Sequence, residues 1–311
     1  MQPDIAYEFV PSSPREFASC HASTLLPLPD GRLLAAWFGG THEKHPDVAI
    51  WSSCRHADGS WTTPAKIADE PDLPHWNPVL ADGGDGTVVL FYKVGPNCRE
   101  WRTRTKRSAD GGATWGTHDE PPRLSDAAGR AYPVGPVRNK LIVLSDGTWL
   151  APTSRETETE WDAAVTLSRD RGRTWELATI PLDHATFAGK GVIQPTAWES
   201  EPGRVHVLLR STAGFVARSD SSDGGRSWSP VQLTDLPNNN SGIDLASLPG
   251  GALILCSNPV GADWGARTPL VLSRSDDNGR TWRRIATLED EGSGDEARAA
   301  SAADRERTEF S

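Results

Sequence analysis

An octet of the form Ser-x-Asp-x-Gly-x-Thr/Ser-Trp occurs four times in this chain. It reads SADGGATW from Ser108 to Trp115, SRDRGRTW from Ser168 to Trp175, SSDGGRSW from Ser221 to Trp228 and SDDNGRTW from Ser275 to Trp282. A shortened copy, ADGSW, ends at Trp61, and the five tryptophans stand 54, 60, 53 and 54 residues apart. The chemistry is that of a hairpin turn. The Asp carboxylate and Ser hydroxyl accept backbone N–H bonds inside the turn. The Gly supplies a residue at positive φ, and the Trp opens the next strand and lays its ring over the hairpin. Four octets at near-constant spacing specify an array of equivalent supersecondary units.

Between the octets the chain reads as strands. GRLLAAWFGG, VAIWSSCR, GTVVLFYKVG, KLIVLSDGTWLAPTS, RVHVLLRS, GFVARSDS, GALILCSNP and PLVLSRS are apolar runs rich in Val, Leu and Ile, closed by Gly, Pro, Asn or Asp. No segment carries a long helical pattern. A period near 54 residues fits one four-stranded blade, so the expected fold is an all-β propeller. The 13 Trp, 29 Gly and 24 Pro suit short strands and tight turns.

Charge and cysteine content narrow the function. A net charge of -10 argues against a nucleic-acid partner. From Glu289 to Ser311 there are eight acids and three arginines, half of the total charge. Residues 291–311 are expected to be a disordered acidic tail, with 1–290 as the propeller domain. Cys20, Cys54, Cys98 and Cys256 lie far apart without a CxxC pair, so they read as small buried hydrophobes and not as a zinc site or disulfide framework. The first ten residues contain no apolar h-region and no run of 18 apolar residues occurs, so the expectation is a cytoplasmic protein without a membrane partner. No cofactor and no metal are expected, since there is no HExxH or comparable cluster.

The octets are identified as the Asp-box, or BNR, repeats of the sialidase superfamily. The chain resembles its sialidase-like BNR members over about residues 5 to 290. The further matching stretches are CHASTLLPLPDGRLLAAWFGGTHEKHPDVAIW, HWNPVL with FYKVGPN, PVRNKLIVLSDGTWLAPTSRE, GVIQPT, NNNSGIDLASLPGG and RTPLVLSRS. The resemblance implies a six-bladed β-propeller of the sialidase type, with Asp boxes on the outer rim and the site at the mouth of the central channel. It also implies an arginine triad for a substrate carboxylate, a Tyr/Glu nucleophile pair and an Asp acid/base.

The implied site maps residue by residue. His21, in CHASTLL, stands where the first arginine is expected, and Arg210 in LLRST and Arg267 in GARTPL match the second and third. The acid/base loop holds Glu43, His45 and Asp47; His45 takes the family position by count, and Asp47 is the preferred acid/base with Glu43 second. Gln194 occupies the place of the glutamate partner, and an amide cannot deprotonate a tyrosine hydroxyl. No Tyr follows Tyr132, and a truncation near Gly292 is expected to leave the last blade incomplete. Arg138, Glu156, Asn77 and Asp244 are further candidate sugar contacts, with Trp76 as a stacking surface. Asn238 to Ser241 read as a sugar-binding loop or a turn, the turn being preferred, and Lys93 as a surface lysine or a group that neutralises an anionic ligand; Arg99 to Arg107 read as a solvated strand or edge, and His184 and His206 as incidental.

Three functions remain open. The first is a sialidase-like glycoside hydrolase acting on a terminal acidic sugar of a saccharide or glycoconjugate. The second is a uronic-acid-directed glycosidase or polysaccharide lyase, with Arg210 neutralising the uronate and His21 or His45 as base. The third is a non-catalytic sugar-binding propeller. The sequence sets no oligomeric state.

Overall fold

Residues 6, 8, 10 and 17–290 are described by a computed structural model of the chain. The expected tail 291–311 and the expected truncation point lie outside the described residues. Every described element is a strand, and among the described residues no helix is long and apolar enough to cross a membrane.

The strands fall into antiparallel meanders. The first sheet is β1 (Ser19–Pro27), β2 (Leu33–Gly40), β3 (Ala49–Arg55) and β4 (Ala65–Ala68). The second has three strands, β5 (His75–Asp82), β6 (Val88–Val94) and β7 (Arg102–Ser108). A ribbon of β8 (Leu124–Ser125) and β9 (Ala131–Tyr132) precedes the third sheet, β10 (Ile142–Val143), β11 (Trp149–Glu156), β12 (Trp161–Ser168) and β13 (Glu176–Thr179). The fourth is β14 (Val192–Glu201), β15 (Arg204–Ser211), β16 (Phe215–Ser221) and β17 (Gln232–Pro237). The fifth is β18 (Asp244–Ser247), β19 (Leu253–Ser257), β20 (Leu270–Ser275) and β21 (Arg283–Glu289). Each sheet pairs its strands in chain order, which is the repeating unit of a propeller. Five such sheets are described, not the six that the resemblance implied. A tryptophan spacing of 53 to 60 residues leaves room for five between residues 17 and 290.

The described chain divides into two units. The N-terminal unit comprises Glu8–Leu124 and Pro133–Lys140. Its two sheets face each other through Leu34, Phe38 and Ile50 on one side and Leu80, Leu90 and Tyr92 on the other. The C-terminal unit comprises 125–132 and 141–290. There Val205, Val207 and Leu209 join Leu150 and Val165, while Leu208 and Val216 join Leu253 and Leu255. β15 is therefore apolar on both faces, which explains why RVHVLLRS shows no alternation. Each fully buried Leu or Val in these layers contributes about 1.5–3 kcal/mol.

The octets form the turns that their sequence implied. Ser221 Oγ accepts the Gly225 N–H at 2.9 Å and donates to Asp223 Oδ1 at 2.8 Å. Asp223 in turn accepts the Ser227 N–H at 2.9 Å and the Ser227 hydroxyl at 2.6 Å. Trp228 Nε1–H closes back on the Gly225 carbonyl at 2.9 Å. The other three octets repeat this set through Asp110, Asp170 and Asp277. These hydrogen bonds hold the Asp carboxyls below the usual carboxylate range. Gly225 sits at φ +83°, and a methyl there would stand 2.7 Å from Leu150 Cδ1, so the turn also latches onto the preceding sheet.

One irregularity recurs where it concerns the site. The first strands of the first, second and fourth sheets each carry a bulge, between His21 and Thr24, Trp76 and Val79, and Ile193 and Thr196. In each bulge one non-glycine residue adopts a left-handed backbone: Ala22 at φ +51°, Asn77 at +42° and Gln194 at +52°. Across from the residue before the bulge stand Phe38, Lys93 and Arg210.

Several expectations are corrected. Lys93 is no surface lysine, because β6 is buried along its whole length. His75 and Trp76 lie inside a strand, and Trp76 is buried with its Nε1–H on the Gly95 carbonyl at 2.8 Å, so it offers no stacking face. Arg104 of the basic run is buried and bidentate on Glu70 at 3.0 and 3.2 Å. Cys20 is exposed and the other three cysteines are partly exposed, so none is a core hydrophobe.

Candidate functional site

Arg210 and Gln194 meet in the C-terminal unit. Arg210 stands one residue before the end of β15, opposite the Gln194 bulge, and both residues are buried, at 7% and 8% exposure. Arg210 Nη1–H donates to Gln194 Oε1 at 3.1 Å, and its Nε–H donates to Asn240 Oδ1 at 3.0 Å. Asn240, fully buried, is itself at φ +61°. Its Oδ1 is fixed by the guanidinium, which leaves its buried Nδ2 as a donor without a hydrogen-bond partner. Two residues thus hold left-handed backbones, at roughly 1–3 kcal/mol each, to aim amide oxygens at one guanidinium.

Asn238 to Ser241 are not a solvated turn: all four are buried. Asn239 Nδ2 donates to the Ala266 carbonyl at 2.5 Å, next to Arg267. The Ser241 hydroxyl donates to Asn258 Oδ1 at 2.8 Å, and Asn258 Nδ2 bonds the Arg267 carbonyl. Adjacent asparagines therefore grip the Arg210 side chain and the backbone around Arg267, so these two candidates stand on one polar network. Arg267 is half-buried. Asp244, exposed at the start of β18, accepts the Thr196 hydroxyl at 2.8 Å beside the Gln194 bulge.

Elsewhere in this unit Glu156, half-buried, ends β11. Nearby, Asp162 is buried, bonded by Arg155 Nη1 at 2.6 Å and His184 Nε2 at 2.9 Å, with Arg130 Nη1 at 3.6 Å. Glu160, Asp162 and His184 offer ligand atoms within 4.8 Å of one another. Two guanidinium groups already supply the positive charge that a cation would bring. A cavity of about 440 Å³ opens here, lined by Arg130, Tyr132, Asp162, Ile180, Pro181 and Pro230.

The N-terminal unit holds the remaining candidates. Asp47 Oδ1 accepts the Thr41 N–H at 3.0 Å, Oδ2 accepts the Thr41 hydroxyl at 2.6 Å, and His45 Nδ1 stands 2.7 Å away. Burial raises the Asp47 carboxyl, but the Thr41 bonds and His45 outweigh it, so Asp47 lies below the usual carboxylate value and rests as an acceptor. Glu43 is half-buried in the same loop. His21, half-buried, meets the Ser19 hydroxyl at 3.3 Å and faces Phe38. Asn77 is buried at its bulge, and Arg138 is half-buried before β10.

Sequence reasoning preferred a turn for Asn240, in the run of three asparagines, and a surface place for Lys93, and so missed that both are buried. Lys93 is fully buried, its Nζ donating to Thr103 Oγ1 at 3.0 Å and the Val134 carbonyl at 3.3 Å. Burial pushes its ammonium down to about 7.

The fold is similar to that of solved sialidases. The NanB sialidase of Streptococcus pneumoniae superposes with a TM-score of 0.67 at 13% identity, over 91% of this chain and 62% of that one. The Trypanosoma rangeli sialidase in complex with sialic acid gives 0.67 at 15%, over 88% and 48%. A protein of unknown function from Dyadobacter fermentans gives 0.68 at 17%, over 88% and 84%. The chain thus spans about three fifths of the NanB chain and about half of the trypanosomal one. No curated protein sequence matches it. Residues 31–311 match the BNR repeat-like domain, and the chain belongs to that family.

Proposed function

We propose that this chain is a sialidase-like glycoside hydrolase acting on a terminal acidic sugar, with the Arg210 guanidinium receiving the sugar carboxylate. The observation that carries the reading is the amide cradle of Arg210. Gln194 Oε1 and Asn240 Oδ1 fix the plane of the guanidinium without adding a negative charge. A planar, oriented and desolvated guanidinium suits a carboxylate. Asn240 Nδ2 adds a buried donor beside it. Arg267, on the same asparagine network, is the second contact. The similar fold of a sialidase solved with sialic acid supports the choice of ligand class.

Gln194 spends its oxygen on Arg210 and cannot serve as a base, so its role is orientation. That gives a second reading its footing: an acidic-sugar binder or a uronate-directed enzyme that needs no glutamate at this place. The test offers the full chain a fluorogenic sialoside, a fluorogenic glucuronide and a polyuronate. Fluorophore release from the sialoside, lost in Arg210→Met, is the expected result. Unsaturated uronate, or calorimetric binding without turnover, would move the assignment to the second reading. Sugar binding that survives Arg210→Met would overturn both.

A further inference from the structure

The fourth sheet carries a second cluster of chemical groups, built by three neighbouring strands. Ser200 lies in β14, in the irregularity between Glu199 and Glu201, and is exposed. His206 of β15 and Asp220 of β16 are direct cross-strand partners. His206 Nε2 is 2.8 Å from Ser200 Oγ, and His206 Nδ1 is 2.5 Å from Asp220 Oδ1. The imidazole is buried at 8% exposure and stacks on Trp198, with ring centroids 5.0 Å apart.

The surroundings decide the tautomer. Trp198 Nε1–H can only donate, and it bonds Asn278 Oδ1 at 2.7 Å. That fixes the Asn278 amide and turns its Nδ2 toward His206 Nε2, at 3.1 Å. Nε2 is therefore an acceptor, and the ring proton sits on Nδ1, donated to Asp220. Arg218 Nε–H bonds the same Asp220 oxygen at 2.9 Å, and the carboxyl lies below its usual value: burial raises it, and His206 and Arg218 lower it more. Arg218 Nη2, 3.2 Å from Nδ1, meets a nitrogen that already carries its proton, and its Nη1 is committed to the Asn278 carbonyl at 2.9 Å. A neutral imidazole, oriented by an ionised carboxylate, thus aims its lone pair at an exposed serine hydroxyl.

We propose that Ser200, His206 and Asp220 form an acyl-transfer triad that hydrolyses small carboxylic esters such as acetyl esters. Ser200 Oγ bonds the acyl carbon while its proton passes to His206 Nε2. The ester C–O bond breaks, and the alcohol leaves with that proton. Water, deprotonated by His206, then cleaves the acyl-serine to a free carboxylic acid and restores the hydroxyl. Asp220 and the Trp198–Asn278 pair are positioning residues, and once Nε2 is protonated it no longer accepts from Asn278 Nδ2–H, which is released as a donor beside the reacting centre. Ser200 is exposed, so a small ester reaches its hydroxyl directly from solvent.

The full chain is treated with a fluorophosphonate probe and, separately, with p-nitrophenyl acetate. The expected result is a covalent label mapped by mass spectrometry to Ser200, absent from Ser200→Ala and slowed about 100-fold in His206→Gln. Asp220→Asn folds as the parent by circular dichroism but labels more slowly, with an altered pH profile, because an amide can bind the wrong tautomer. Excess sialic acid leaves labelling unchanged, which separates this site from Arg210. No label at Ser200 of the parent chain, or equal labelling of His206→Gln, overturns the triad and leaves a cross-strand hydrogen-bond ladder.

Discussion

Lys93 and Arg210 occupy the same slot in two sheets. Each stands one residue from the end of its sheet's second strand, opposite the residue that precedes a left-handed bulge. Both are buried cations, yet they are satisfied differently. Arg210 is oriented by two side-chain amides, one from its own bulge and one from a buried asparagine run. Lys93 is tied to a hydroxyl of the next strand and a backbone carbonyl, with no exposed surface. The slot holds Phe38 in the first sheet, so the repeat supplies only a position opposite the bulge, and where a cation fills it the neighbours decide what the charge is for. Around Arg210 they fix a fork that can grip a carboxylate, whereas around Lys93 they seal a point charge that burial penalises.

The largest expected effect breaks that comparison at Arg210. If its guanidinium is the carboxylate receiver, Arg210→Met raises the dissociation constant for an acidic sugar by about 1,000-fold, or about 4 kcal/mol. Lys93→Met leaves it unchanged. Calorimetric titration of both variants checks this, and equal losses would mean that the slot itself, not its lining, makes the site.

Next in size is the pH response of Lys93. Its ammonium is held at about 7 in the folded chain, against an ordinary value near 10.5. Between these values the unfolded chain binds the extra proton, so stability rises as pH increases from 7 toward 10.5. Below 7 both states are protonated and the cost of the buried charge is constant. The rise is on the order of 2–4 kcal/mol. Urea unfolding across that range shows the slope in the parent chain and a flatter profile in Lys93→Met.

How far the sequence was legible follows the range of the interactions. The octets were readable because Ser221, Asp223, Gly225 and Trp228 complete their hydrogen bonds within eight residues. The burial of Lys93 was not, because FYKVG looks like an edge until the distant segment around Val134 and Gly135 covers its Phe91 and Lys93 side. A strand buried on both faces loses the alternation that separates inside from outside. The three asparagines read as a turn, since their partners at Asn258 and Ala266 lie far along the chain. Arg210, Arg267 and Gln194 were located by resemblance, but the role of Gln194 became physical only with its left-handed backbone. The triad was hidden because His206 and Asp220 meet across strands and Ser200 reaches them through a bulge.

The smallest effect separates the two bulges themselves. Asn77 and Gln194 adopt the same strained backbone, and glycine relieves that strain in either place. Asn77→Gly is expected to raise stability by roughly 0.5–1 kcal/mol without touching ligand affinity. Gln194→Gly gains a similar backbone term but removes the acceptor of Arg210 Nη1, so the guanidinium loses an orienting bond. Its affinity for an acidic sugar falls about tenfold, or about 1.4 kcal/mol. Opposite signs for stability and binding at Gln194, beside a stability gain alone at Asn77, would show that strain is kept at Gln194 for the sake of the arginine. Parallel behaviour of the two glycine variants would reduce the bulge to a feature of the repeat.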